Sequence, residues 1–266
     1  MIYIIGNSFC GSTLLGFLMS SNPHIVFIGE LKIKTWLGER SCSCGQPISS
    51  CLFYSDYFNT LNDIKKSVFQ DVFPRSVISL LFRRHKVISR DAVEKLESFY
   101  KSVNDKVVDF YPGAKFIVDS SKSIWLLNGW LHTSIAKDIK IIWLKRPLKP
   151  NVASFLKRGS KFFPSLASVF ANNVLTKYFL KWNHLQFLEL DYIDFYGSYP
   201  DVAAFMSTFL SAHIPSAYKN HHNHHVIAGN SLTRKEFTGN FRGFHKDEEW
   251  KSILTSTQKY ILSWFE

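Results

Sequence analysis

The first residues leave this chain little choice of fold. Ile2-Tyr3-Ile4-Ile5 is a continuous apolar run, rich in β-branched residues, with Gly6 directly after it. Gly6-Asn7-Ser8-Phe9-Cys10-Gly11-Ser12-Thr13 then leads into Leu14-Leu15-Gly16-Phe17-Leu18. The order is a buried strand, a tight loop bounded by glycines and a helix start. A short strand that is apolar on both faces belongs in a parallel sheet covered on both sides.

The loop has the G-x-x-x-x-G-[K]-[ST] spacing of phosphate-binding loops, with Ser12 at the lysine position. Backbone N–H groups at a helix N-terminus converge on an anion with or without that lysine. The charge that follows β- and γ-phosphates is missing, which argues against ATP and for a nucleotide with another anionic group at its 5′ end. Glycines also serve such junctions for backbone reasons alone. The place at the first strand of an α/β pattern favours the anion site.

Further apolar runs at Ile25–Ile28, Lys115–Val118, Ile139–Leu144 and Leu185–Leu190 are expected strands. Helices are expected over Ser12–Ser20, Asp91–Phe110, Ser123–Leu131, Asn151–Leu156, Pro164–Leu180, Ser198–Leu210 and Asp247–Trp264. The alternation predicts an α/β fold: a P-loop-type parallel sheet flanked by helices on both faces, as a single domain over residues 1–266. Residues 36–85 interrupt it and read as an insertion after the second strand, a lid or pocket wall carrying Trp36, Phe53, Tyr54, Tyr57 and Phe58.

The net charge of +11 favours anionic ligands. Its cations are scattered (Lys32, Lys34, Arg83-Arg84, Lys157-Arg158, Arg234-Lys235), and they form no nucleic-acid module. No apolar run is long enough to span a bilayer, and the N-terminus enters a strand without a leader pattern, so a cytoplasmic protein is expected.

Polar residues gather where the expected strands end. Gly29-Glu30 follows the second, Asp119-Ser120-Ser121-Lys122 the third, and Lys145-Arg146-Pro147 the fourth, with Ser154 eight residues beyond Arg146. His225-Val226-Ile227-Ala228-Gly229-Asn230, Arg234 and Phe241-Arg242-Gly243 come later. Open parallel sheets bind ligands at that edge.

Together these segments resemble the sulfotransferases that use 3′-phosphoadenosine 5′-phosphosulfate (PAPS), in particular the bacterial branch and the tyrosylprotein and carbohydrate enzymes. Gly6 to Leu15 is similar to their 5′-phosphosulfate loop, and Arg146, Pro147 and Ser154 to their 3′-phosphate motif. G-E, D-S-S-K, C-x-C-G…C, H-x-x-x-G-N and a final D-x-x-W (Asp247, Trp250) also resemble the bacterial pattern, in order along almost the whole chain. The resemblance implies PAPS as co-substrate, with Cys10, Gly11, Ser12, Thr13 and Leu14 around the 5′-phosphate. It places Arg146 and Ser154 on the 3′-phosphate, and Asn230, Arg234, Arg242 and Gly243 in the rest of the nucleotide site. Glu30 is the expected base for an acceptor hydroxyl or amine, and Lys122 the cation on the transferring group. The acceptor is a small molecule, glycan or peptide. Asp119 reads as a structural acceptor for loop amides.

One departure stands in the loop: Phe9 occupies the place of the family's cation, leaving Lys122, Lys32 or Lys34 to supply it. A nucleotide- or polyanion-binding protein without turnover is therefore the second expectation. A kinase is disfavoured by Ser12, which replaces the lysine, and because no clear Walker-B acid follows a strand. No metal is expected. Cys42, Cys44 and Cys51 offer three thiols without a fourth ligand and without knuckle spacing, and His221, His222, His224 and His225 read as a solvated loop.

Overall fold

The computed structural model describes residues 1–31, 41–55, 88–220, 224–238 and 248–266. Its centre is a five-stranded parallel sheet built from β1 (Ile2–Gly6), β2 (Ile25–Gly29), β3 (Phe116–Asp119), β4 (Lys140–Lys145) and β5 (Phe187–Asp191), in the order β2-β3-β1-β4-β5. Every expected strand is present, shifted by at most two residues at either end. The expected insertion, with Trp36, Tyr57, Phe58, Lys32 and Lys34, lies largely outside the described residues, as do His221, His222, Arg242, Gly243 and Asp247.

β1 explains why both faces are covered. Ile2 and Ile4 enter one core with Leu15 and Phe17 of α1 (Ser12–Met19) and Met206 and Leu210 of α6 (Asp194–Leu210). Tyr3 and Ile5 enter the other with Phe99 of α2 (Arg90–Phe110), Trp130 of α3 (Ile124–Trp130) and Phe179 of α5 (Phe162–Trp182). Each such side chain contributes about 1.5–3 kcal/mol when fully buried, so a polar substitution on either face of β1 is disruptive. A third, smaller core joins α4 (Leu148–Leu156) and α5 to the C-terminal helices through Val152, Val169, Leu254 and Leu262.

Several helices differ from expectation for local reasons. α4 starts at Leu148 rather than Asn151, because Pro150 falls in its first turn, where a missing N–H is harmless. The expected Asp247–Trp264 helix is two helices, α8 (Trp250–Ile253) and α9 (Ser256–Ser263). Leu254 turns extended to bury itself in the small core, and Thr255 restarts the helix with a capping box to Gln258. α6 begins before Ser198 and kinks there, ahead of Pro200. α7 (Ser231–Thr238) was not expected, since its short polar sequence carries little apolar periodicity.

The strand order positions the site. From β1 the chain moves toward β2, and from β4 it moves toward β5. The carboxyl ends of β1 and β4 thus face a topological switch point, where open sheets leave a crevice. The 6–13 loop and Arg146 lie there.

Candidate functional site

The loop after β1 is shaped by backbone geometry. Phe9 (φ 63°) and Gly11 (φ 95°) are left-handed, and Gly11 begins α1 with no side chain capping it. A Cβ on Gly11 would lie 2.4 Å from the Tyr192 ring, so only glycine fits. The amides of Ser12, Thr13 and Leu14 form the first turn. Cys10 turns its side chain inward into the core, where burial pushes the thiol up, so it offers the site only backbone. Four asparagines that sequence reasoning missed secure the loop. Asn7 accepts from Asn172 at 2.8 Å and donates to Asn173 at 2.7 Å, while Asn151 donates to the Ser8 carbonyl at 3.0 Å. The Asn172-Asn173 pair, the only amide side chains within that helix, was the available signal.

The tips of β2 and β3 converge on the same loop. Lys122, left-handed at φ 60°, carries its ammonium to the Glu30 carboxylate, to Ser12 Oγ at 3.2 Å and to the Ser120 carbonyl at 2.8 Å. Both side chains of the Glu30–Lys122 pair are nearly buried, at 11% and 12% exposure, so solvent screens the pair little. Asp119 lies beneath, fully buried, and accepts from Leu31 N–H at 3.1 Å, Ser121 N–H at 2.8 Å and the Ser121 hydroxyl. Burial pushes its carboxyl up to about 6 against those hydrogen bonds, with the Glu30 charge adding to the rise.

On the other side of β1, Arg146 at the end of β4 donates to the Phe9 carbonyl and to Ser154 Oγ at 3.1 Å. Its guanidinium stacks over Tyr192 at 5.0 Å. Phe9 packs edge-on against Phe155 at 4.9 Å, and the Arg158 guanidinium sits 4.6 Å above its ring. A cation therefore stands over the position where the resemblance anticipates one, arriving from the turn after α4 rather than from the loop. Glu30, Lys122, Asn7, Ser8, Ser168 and Asn172 line a polar cavity of about 220 Å³ at the loop mouth. A larger cavity of about 580 Å³ is walled by Pro147, Tyr192, Ile193 and Trp250.

The C-terminal residues divide. The segment after residue 224 joins the edge of β2 through a Gly29–Ile227 bridge, and Asn230 N–H donates to Thr13 Oγ1 at 3.1 Å. A Cβ at Gly229 would lie 2.5 Å from that hydroxyl. The Asn230 side chain, however, caps α7 by accepting from Leu232 N–H at 3.0 Å. Arg234 is buried, donating to the carbonyls of Ser41 and Val226 at 3.4 and 3.3 Å, so it clasps two segments together rather than reaching the loop. Phe53 and Tyr54, expected on an acceptor pocket wall, are core residues at 2% and 3% exposure. His224 is buried against Phe17 rather than solvated. The three thiols do meet a fourth donor: His225 lies among Cys42, Cys44 and Cys51.

The five-stranded sheet, its flanking helices and the loop at the switch point define a sulfotransferase fold. The chain is similar over its full length to the sulfotransferase domain of the Synechococcus PCC 7002 olefin synthase (15% identity, TM-score 0.53, 93% of that chain covered). It is likewise similar to the sulfotransferase domain from the curacin biosynthetic pathway (14% identity, TM-score 0.52, 100% of this chain and 96% of that chain covered). No protein-family model matches the sequence, and no curated protein sequence does. No helix among the described residues is long and apolar enough to cross a membrane.

Proposed function

We propose that this protein transfers a sulfuryl group from PAPS to a hydroxyl or amine acceptor. The observation that carries the reading is the Lys122 ammonium, held between the Glu30 carboxylate and the Ser12 hydroxyl at the mouth of the glycine loop. Sulfuryl transfer is an in-line displacement. The acceptor oxygen or nitrogen bonds to sulfur as the bond from sulfur to the 5′-phosphate oxygen breaks. The nucleotide leaves with that electron pair as adenosine 3′,5′-bisphosphate. By analogy with phosphoryl transfer, positioning and electrostatic stabilisation supply most of the acceleration.

Each group has a place in that scheme. Amides of Ser12, Thr13 and Leu14 hold the 5′-phosphate at the start of α1. Lys122 leaves Glu30 for the oxygens of the transferring group, and the released carboxylate takes the acceptor proton. Arg146 and Ser154 grip the 3′-phosphate, and the apolar cavity beside Tyr192 and Trp250 takes the nucleoside. The donor's charge is met by cations and amides, and the basic surface suits an acidic glycan or peptide acceptor.

Adenosine 3′,5′-bisphosphate should raise the melting temperature where ATP–Mg²⁺ does not, and labelled PAPS should mark acceptors in a panel. Stabilisation by ATP–Mg²⁺ alone would sink the reading. Phe9 in the loop favours one second reading, nucleotide or polyanion binding without turnover. Tight bisphosphate binding with no transfer to any acceptor would select it.

A further inference from the structure

We propose that Cys42, Cys44, Cys51 and His225 form a closed structural zinc site that staples the cysteine loop to the C-terminal segment beside the anion loop. The proposal stands on this cluster's geometry and is independent of the reaction.

The four donor atoms lie within 4.8 Å of one another. Cys44 Sγ is 3.8 Å from Cys51 Sγ, and His225 Nδ1 is 3.1 Å from Cys51 Sγ and 3.7 Å from Cys42 Sγ. Tetrahedral zinc, with bonds of about 2.3 Å to sulfur and about 2.0–2.1 Å to nitrogen, requires edges of about 3.8 Å between sulfurs and about 3.5 Å from sulfur to nitrogen. The observed separations scatter around those edges. Three thiolates and one imidazole suit zinc and leave no open position, the mark of a structural site. Binding replaces the thiol protons, which leave to solvent, and the complex carries one net negative charge.

The surroundings are built to hold the donors. Cys42 N–H donates to the Gln46 carbonyl at 2.9 Å, and Gly45 N–H donates to the Cys42 carbonyl at 3.0 Å. Gly45 is left-handed at φ 85°, so the C-x-C-G run folds back over its own ligands. The His225 ring is fixed by stacking on Phe53 at 5.6 Å and by the edge of Phe110 at 5.8 Å. Tyr54 OH bridges the His225 carbonyl at 2.8 Å and the Ile28 carbonyl at 3.0 Å, tying the cluster to β2. Exposed Cys44 gives the metal an entry path, while Cys42 and Cys51 are buried.

The consequence reaches the candidate site. From His225 the chain runs two residues to the Gly29–Ile227 bridge and five to Asn230, whose N–H holds Thr13. Loss of the ligand set therefore loosens the wall next to Glu30.

Metal analysis of the untagged full chain, purified without chelators, should find one zinc per chain, and cobalt exchange should give a tetrahedral spectrum with thiolate charge transfer. Chelation should lower the melting temperature. Cys51→Ser and His225→Ala should lose the metal, whereas His225→Cys should retain it, because four thiolates also suit zinc. A purely packing histidine gives no such rescue. Should these variants not fold, the wild-type stoichiometry and cobalt spectrum still decide. Substoichiometric metal with reactive thiols and no cobalt spectrum overturns the site, as does a Cys44–Cys51 disulfide in intact-mass and peptide analysis of freshly purified protein.

Discussion

The two flanks of β1 handle charge in opposite ways. Toward β2 and β3, Lys122 faces a carboxylate, and a second carboxylate, Asp119, is buried below it. Toward β4, Arg146 faces a carbonyl and a hydroxyl. An ammonium paired with a carboxylate has to change partners when an anion arrives, and that exchange frees a base. An arginine that donates to a carbonyl and a hydroxyl presents a planar fork suited to an anion. In the proposed reaction the first flank carries the chemistry and the second grips the nucleotide.

The sharpest way to break this contrast is to neutralise one flank at a time. Glu30→Gln should leave adenosine 3′,5′-bisphosphate affinity within a few-fold and lower turnover by roughly 10²–10⁴-fold. Lys122→Met should likewise cost more in turnover than in product affinity. Near-normal turnover in Glu30→Gln, measured with labelled PAPS, removes that flank from the reaction.

Asp119 tests whether the buried layer opposes folding at neutral pH. Its folded-state value of about 6 lies above the unfolded one of about 3.8, so the native state binds the proton more tightly. Between those values the native state carries more protons, and stability falls as pH rises, by up to about 3 kcal/mol from this group. Asp119→Asn keeps an oxygen acceptor for Leu31 and Ser121 and removes the titration. Urea unfolding of both proteins at pH 4 and 7 should show the decline in the wild type exceeding that in the variant. Parallel pH profiles contradict it.

Arg146→Ala should weaken adenosine 3′,5′-bisphosphate by about 1.5–3 kcal/mol and spare adenosine 5′-monophosphate. Equal losses for the two ligands in calorimetry refute the 3′-phosphate assignment.

Phe9→Arg probes the seam between the flanks. With Lys122 on Ser12 and Arg158 over the Phe9 ring, a new arginine meets like charge, so PAPS affinity should change by less than about 1.4 kcal/mol and should not improve. A clear gain in affinity and rate marks the native loop as short of a cation.

Much of this architecture was legible in residue order. Runs such as Ile2–Ile5 and Ile139–Leu144 are apolar on both faces, and that pattern alone requires a covered parallel sheet. The glycine spacing of the loop and the polar residues at strand ends likewise depend on near neighbours, so Glu30, Lys122 and Arg146 were nameable before any contact was known. The break at Leu254 and the start of α4 were missed because burial and first-turn geometry outweighed the periodic pattern.

Three features belong to the tertiary structure. The order β2-β3-β1-β4-β5 sets Lys122 against Glu30 across 92 residues, because β3 pairs directly with β2. Arg234 turned inward because two carbonyls needed a donor there, which no local pattern records. His225 reaches Cys51 across 174 residues of chain, and sequence spacing carries no information about a ligand delivered by another segment. Local chemistry is written in neighbouring residues through backbone geometry and hydrophobic period. Partnerships between strand tips and loops arise only when packing brings distant segments to one edge of the sheet.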